Sequence, residues 1–248
     1  MSLSLKNGDN IAIIKGRSFN RKVLKINKDK NNNNCKSLQC NDSEIIPLPR
    51  ILESGCERGF VAGATGAGKS TYVSKYIFLY QNMNKKNPVW VFSRLDSDNK
   101  IDALGVYRID LKNFILNPMT ISEFKKDGDG ALFIFDDIDT IPDKKINKEI
   151  HKLRDDLLQT GRHNNLTVLS TGHAIRGGHL TKQILLESSF VTFFPGSSGP
   201  RHIRDFLYHY QGLENDVIDY IMKLDSHWIT IYQVAPKYVI SEHECFLL

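Results

Sequence analysis

The sequence predicts an α/β fold: a mostly parallel sheet flanked by helices, with a small β-rich segment ahead of it at the N-terminus. Three observations carry that expectation. A glycine-rich loop, Gly63-Ala64-Thr65-Gly66-Ala67-Gly68-Lys69-Ser70-Thr71, stands between a short apolar run and a helical pattern. The runs Val89-Trp90-Val91-Phe92 and Ala131-Leu132-Phe133-Ile134-Phe135 are apolar without alternation, as in parallel strands buried on both faces. Between such runs lie helical stripes, the clearest being Ile146, Ile150, Leu153 and Leu157 at steps of four, three and four.

The loop matches the phosphate-binding pattern G-x-x-x-x-G-K-[S/T] at each specified position. A nucleoside triphosphate presents clustered anionic oxygens, and a loop can wrap them only if its backbone N–H groups point inward. That nest needs angles that a Cβ resists, hence glycine at 63, 66 and 68. Lys69 then reaches the β- and γ-phosphates as a point charge, and the Ser70 hydroxyl suits Mg²⁺. Arg58–Ala62 is expected as a buried strand before the loop. Ser70–Met83 is expected as a helix after it, with its N-terminal dipole toward the phosphates.

At 248 residues the chain suits one α/β domain with a small appendage. The expected division is a basic N-terminal segment, residues 1–50, and a nucleotide-binding domain, residues 51–248. Net charge is +5 but unevenly placed. From Lys15 to Lys36 there are 8 basic residues and 1 acidic residue, or +7, leaving 25 basic against 27 acidic, or −2, elsewhere. Two readings of that segment stand: contact with a polyanion, or a solvated lysine-rich strand pair. The 4 cysteines (35, 40, 56, 245) have neither zinc spacing nor the density of a disulfide framework, so free thiols are expected. No apolar run of about 18 residues and no signal-like apolar N-terminus is present, which predicts an intracellular protein with no membrane span.

In order along the chain, Asn10–Ile14 and Val23–Ile26 are expected as strands, with a mobile loop at Asn31–Asn34. Further expectations are a strand over Leu104–Ile109 and helices over Thr120–Lys126 and from Lys144 to near Gly161. A strand over Leu166–Thr171 and a helix over Leu180–Glu187 follow. Beyond them come a strand over Phe190–Phe194, helices over Arg201–Tyr210 and Asn215–Leu224, and a terminal hairpin around Ala235-Pro236-Lys237.

The strand at Ala131–Phe135 is the second anchor, because it ends in Asp136-Asp137. A carboxylate at the tip of such a strand sits beside the phosphate loop and can hold Mg²⁺, which assigns Asp136 as the metal partner. Asp137 has two readings: the carboxylate that orients an attacking water, or a loop carboxylate or helix cap. Ser170, Thr171 and His173 emerge at the C-terminal end of the next strand, the edge at which ligands bind in open α/β sheets.

The order of motifs along the chain is the phosphate loop, Phe92-Ser93-Arg94 after a strand, Asp136-Asp137, and then a run from Thr160 to His173. It resembles the FtsK–HerA superfamily of DNA-translocating ATPases. Within that group the chain is most similar to genome-packaging ATPases of nucleocytoplasmic large DNA viruses and virophages, on Gly161-Arg162-His163, Leu185-Leu186-Glu187-Ser188 and Phe194-Pro195. The resemblance covers roughly residues 55–248. It implies a RecA-like core of the additional-strand P-loop type, ATP and Mg²⁺ as ligands, and a homo-oligomeric ring (about five or six subunits in relatives) that threads double-stranded DNA. It implies a Mg²⁺ ligand at Asp136 and a catalytic carboxylate at Asp137, where many relatives have Glu. Arg162 matches the position of an arginine finger, the other reading being a charge at a helix C-terminus. His173 falls where a sensor residue, commonly Gln, is expected.

The function implied is packaging of a viral genome into a capsid by ATP hydrolysis. Capsid proteins would be further partners, and the host cytoplasm at sites of virus assembly, or the virion, its location. Two alternatives from other classes are a small-substrate kinase on the same loop and a nucleotide-regulated structural protein with negligible turnover.

Overall fold

The computed structural model describes residues 1–17, 21–28, 35–52, 55–175, 178–197 and 199–248. The expected loop at Asn31–Asn34 lies outside them. Two compact units emerge, one formed by Ile51–Ser188 and the other by Met1–Arg50 together with Ser189–Leu248.

In the first unit the strands run, across the sheet, Tyr107–Arg108, Val89–Ser93, Ala131–Asp136, Leu166–Gly172 and Arg58–Ala62. Each neighbouring pair is parallel. The phosphate-loop strand therefore pairs with Leu166–Gly172, Thr171 opposite Val61 and Gly172 opposite Ala62. The three central strands from Val89, Ala131 and Leu166 are buried along their whole length, which is why they read as unbroken apolar runs. All three expected central strands are found, each one residue longer than expected at its C-terminal end.

The helix after the loop spans Lys69–Met83. The helix over Lys144–Thr160 is N-capped by Asp143, whose carboxylate accepts from the Lys145 and Ile146 amides. Its buried stripe is rotated from the expected one. Ile150 and Leu157 are buried, Ile146 and Leu153 only partly, and His151, Arg154 and Leu158 take up the rest of the buried face. Gly161 continues helically into a 3₁₀ turn over Gly161–Asn164, and the left-handed residue that ends the run is Asn165, φ +56°.

Between Ser93 and Ala131 the expected strand over Leu104–Ile109 shrinks to Tyr107–Arg108. Arg108 is drawn aside instead: its guanidinium donates to Asp102 Oδ1 at 2.6 and 3.1 Å and to the Leu95 carbonyl at 3.0 Å. Two short helices absent from the sequence expectation, Asn99–Asp102 and Leu111–Leu116, are capped by Asp98 and Asp110. The helix Ile121–Lys125 carries a capping box between Thr120 and Glu123. Phe114 and Phe124 on these helices pack edge-on against Phe92 and Phe133 of the sheet, centroids 5.4 and 4.9 Å apart.

In the second unit a four-stranded antiparallel sheet has the order Ser2–Ser4, Lys22–Asn27, Asp9–Gly16, Ser43–Pro47. Ile11, Ile14, Leu24, Ile26 and Ile45 fill its buried face, while Lys15 and Lys22 are exposed. Phe190–Phe193, Ile229–Tyr232, Tyr238–Ser241, Glu244–Leu247 and Ser37–Gln39 follow one another in antiparallel pairs. The terminal hairpin thus has a third strand, Glu244–Leu247, that pairs with Ser37–Gln39 from the N-terminal segment. Helices span Pro200–His209 and Asn215–Met222. Tyr232 and Tyr238 stack at 4.3 Å and are buried with Phe190, Phe193 and Phe206.

Candidate active site

The site is built at the C-terminal edge of the parallel strands. Gly66 (φ +81°) and Gly68 (φ +109°) take the left-handed angles that the loop's curvature demands, and Gly63 N–H is tied to the Gly172 carbonyl at 2.9 Å. Gly68 caps the helix Lys69–Met83, no side chain caps its first amides, and no acidic residue sits in its first turn. Those amides are left for an anion. Ser70 and Thr71 lie in that first turn, and Thr71 Oγ1 accepts from Lys100 Nζ at 2.7 Å.

Lys69 is 8% exposed. Its Nζ donates to the Gly63 carbonyl at 2.8 Å and lies 3.4 Å from Asp137 Oδ2. The second carboxylate oxygen of Asp137 is thereby shared, since His173 Nε2 stands 3.6 Å from it. His173 is about half-exposed. Lys69, Asp137 and His173, assigned to the site from separate stretches of sequence, are thus brought together.

Asp136 is buried at the tip of its strand. Oδ1 accepts from Thr171 Oγ1 at 2.9 Å and Oδ2 from Ser93 Oγ at 3.3 Å. Burial pushes its carboxyl above the usual range, and the neighbouring Asp137 and Asp98 charges push the same way, while the Thr171 and Ser93 hydroxyls pull it back. A bound cation would supply what the ionised form lacks. The donor set on offer, a buried carboxylate and the Ser70 hydroxyl, is hard oxygen, which fits Mg²⁺. Among the described residues no group of three or more His, Cys, Asp or Glu is arranged around a metal. A magnesium ion held by one or two protein oxygens and by phosphates requires none.

Asp137 adopts φ +46°, ψ +39°, uncommon for a residue with a Cβ. It opens the 3₁₀ turn Ile138–Thr140, but its side chain makes no capping hydrogen bond. Its N–H donates to Thr171 Oγ1 at 2.9 Å, and that hydroxyl also lies 3.2 Å from Asp137 Oδ1. Thr171 therefore joins both carboxylates, and Ser93 holds the first from the other side. Sequence reasoning named Ser93 and Thr171 as motif or edge residues without assigning either a role. The available signal was a hydroxyl at the C-terminal end of each strand that flanks the Asp136 strand.

Arg162 is not brought to this site. It is exposed on the 3₁₀ turn ahead of the strand Leu166–Gly172, its Nε 3.4 Å from His163 Nε2. A strand of that length puts it about 20 Å away, at the opposite edge of the sheet. Arg94 is exposed beside the site, 3.4 Å from the Thr140 carbonyl. Beyond Ser93 a cleft of about 750 Å³ is lined by Arg94, Arg108, Lys112, Ile141 and Ile146, among others.

No protein-family model matches the chain. An uncharacterized protein, V3, of Sputnik virophage is 36% identical over 242 residues, covering 96% of this chain and 95% of the relative. The chain belongs to one family with that virophage protein. The match takes in most of the first fifty residues, which the motif resemblance did not reach. The fold of the chain is that of the genome-packaging NTPase B204 of Sulfolobus turreted icosahedral virus 2, in complex with ATP-γ-S. That structure has a TM-score of 0.53 and 12% identity, with 77% of this chain and 98% of that one covered. The cytoplasmic domain of the type VII secretion ATPase EccC of Thermomonospora curvata gives a TM-score of 0.55 at 11% identity, covering 84% of this chain and 28% of that one. No helix among the described residues is long and apolar enough to cross a membrane.

Proposed function

We propose that this chain is a P-loop ATPase of the FtsK–HerA superfamily that drives double-stranded DNA into a viral capsid, hydrolysing ATP in a homo-oligomeric ring. The observation that carries the chemical part is the convergence of Lys69, Asp136 and Asp137 at an uncapped helix N-terminus. The loop Gly63–Thr71 wraps the phosphates with its amides, and Lys69 exchanges the Gly63 carbonyl and Asp137 for β- and γ-phosphate oxygens. Ser70 and Asp136 would hold Mg²⁺, which when bound neutralises phosphate charge and fixes its orientation. Asp137, freed from Lys69, orients a water for in-line attack on the γ-phosphate. His173 reaches the same oxygens and reports their presence. Arg162 of a neighbouring subunit meets the charge that develops in the transition state.

The motor reading rests on the motif order, on the virophage relative and on the genome-packaging role of B204. Duplex DNA and capsid proteins are its partners, and the host cytoplasm at sites of virus assembly is where it acts. The cleft beside Ser93 is the one observation that favours phosphoryl transfer to a small acceptor instead. Measuring ATP turnover with and without duplex DNA separates the readings. A motor is stimulated by duplex, a kinase ignores it and needs an acceptor, and a structural nucleotide binder turns over negligibly in both arms. Asp137→Asn should keep ATP binding and lose about 10²–10³ in turnover. Parental turnover in that variant would refute its role.

A further inference from the structure

The helix Lys144–Thr160 buries polar side chains on one face. Asn147, His151 and Arg154 follow one another at steps of four and three, so they share a side of the helix. His151 is only 6% exposed and Arg154 only 1%. A buried histidine is expected to use both ring nitrogens. Here Nε2 lies 3.2 Å from Asp139 Oδ1, while Nδ1 is buried with no hydrogen-bond partner among the described residues. One good contact is thus retained at the expense of the other nitrogen. Four residues earlier, Asn147 Nδ2 donates to the Ile138 carbonyl at 2.9 Å.

Both acceptors belong to the 3₁₀ turn that starts immediately after Asp137. The turn closes on Asp137 itself, because its carbonyl accepts from Thr140 N at 3.0 Å and from Thr140 Oγ1 at 2.8 Å. A left-handed, non-glycine residue keeps such angles only where its surroundings over-determine them. On one side of Asp137 the surroundings are Thr171. On the other they are the turn, and the turn is gripped by the helix. The hydrogen bond from His151 holds the Asp139 carboxyl below its usual range, so Asp139 stays an ionised acceptor.

We propose that His151 and Asn147 are positioning residues that fix the turn after Asp137, and through it the direction in which the Asp137 carboxylate faces the phosphate loop. This rests on the reading of Asp137 as the carboxylate that orients water. Their polar contacts are with the turn, so their loss should slow turnover without weakening nucleotide binding. A residue that only stabilised the fold would instead lower the melting temperature and leave the kcat of the folded fraction alone.

The test uses the full chain, with kcat, KM for ATP, affinity for a non-hydrolysable ATP analogue, and melting temperature measured together. His151→Ala and Asn147→Ala should each lower kcat by about tenfold to 10²-fold, the scale of a misplacement near 1 Å. Analogue affinity should change by less than about twofold. His151→Gln, whose amide nitrogen can take the place of Nε2, should recover most of the rate. Ile150→Val loosens the same helix without touching the turn, and should lower the melting temperature while keeping kcat. Asn147 is only partly buried, so its variant remains informative if His151→Ala does not fold. Parental kcat in folded Asn147→Ala and His151→Ala, beside an inactive Asp137→Asn, overturns the proposal and leaves the function standing. An equal kcat loss in Ile150→Val also overturns it. Parental turnover in Asp137→Asn removes the reading underneath, and the proposal with it.

Discussion

Replacing Thr171 with valine tests whether one hydroxyl ties the two carboxylates together. The shapes match, so no cavity forms and the change is confined to the oxygen. That oxygen donates to Asp136 Oδ1 at 2.9 Å and accepts the Asp137 amide at 2.9 Å, and the residue is 4% exposed. Valine leaves a buried N–H and a buried carboxylate oxygen each without its partner. An orphaned buried amide costs about 1–3 kcal/mol, and a hydrogen bond to a charged group contributes about 1.5–3 kcal/mol. The sum lies near 3 kcal/mol if the turn relaxes a little. At about 2–4 °C per kcal/mol for a chain of this size, the melting temperature should fall by roughly 6–12 °C. Losing a hydroxyl that lowers the Asp136 pKa should also raise it further, so magnesium-dependent turnover should need more metal at a given pH. Calorimetry and turnover titrated against Mg²⁺ read these two effects. Thr171→Ser keeps the oxygen and loses only a methyl, so it should restore the metal dependence. A Thr171→Val protein with parental melting temperature and metal requirement would show that the hydroxyl is a bystander.

Two further outcomes follow from the same geometry. Burial raises the Asp136 pKa above its unfolded value, so the native state holds that proton more tightly, and stability is lost as pH rises from the usual carboxylate range through the raised value. At neutral pH, above the usual carboxylate range, that penalty is present. Asp136→Asn should therefore melt at a higher temperature than the parent at pH 7 while losing magnesium-dependent turnover, and a lower melting temperature would refute the account. For Arg162, mixing Arg162→Ala with Lys69→Ala subunits should restore some turnover if the arginine acts on a neighbour's nucleotide. Mixed rings, verified by differential tagging, that stay inactive at every ratio would reduce Arg162 to a local role.

The phosphate loop, its strand and Asp136 were legible because each is fixed by local chemistry: φ-permissive glycines, an unbroken apolar run, an acid at the strand tip. Residues whose importance lies in what they touch were not. Ser93 and Thr171 look like ordinary strand-end hydroxyls until strand order places one on each side of the Asp136 strand. The helix Lys144–Thr160 illustrates the same limit. Its stripe of Ile146, Ile150, Leu153 and Leu157 is a sound amphipathic pattern, yet the helix turns to bury His151, which reaches Asp139 of the turn, and Arg154, whose guanidinium donates to Asp155. Asp98 and Asp110 did carry a readable signal, an acid just ahead of a short helix, which the strand expected over Leu104–Ile109 obscured. The strand Glu244–Leu247 was beyond local reading, since its partner Ser37–Gln39 lies some two hundred residues earlier.

The distance between Arg162 and the phosphate loop constrains the chemistry more than it weakens it. Arg162 stands about 20 Å from its own loop across a strand that is buried throughout. A side chain that long reaches no more than a third of the way. If Arg162 meets a nucleotide at all, the nucleotide belongs to another subunit, and a monomer must then be a poor catalyst even with its own carboxylates in place. The helix that ends just before Arg162 starts beside the Asp137 turn, and its 17 residues span about 25 Å as one rigid element. One end grips the turn through Asn147 and His151, and the other presents the arginine. If Arg162 acts on a neighbour's nucleotide, this helix is the element that joins it to the Asp137 turn.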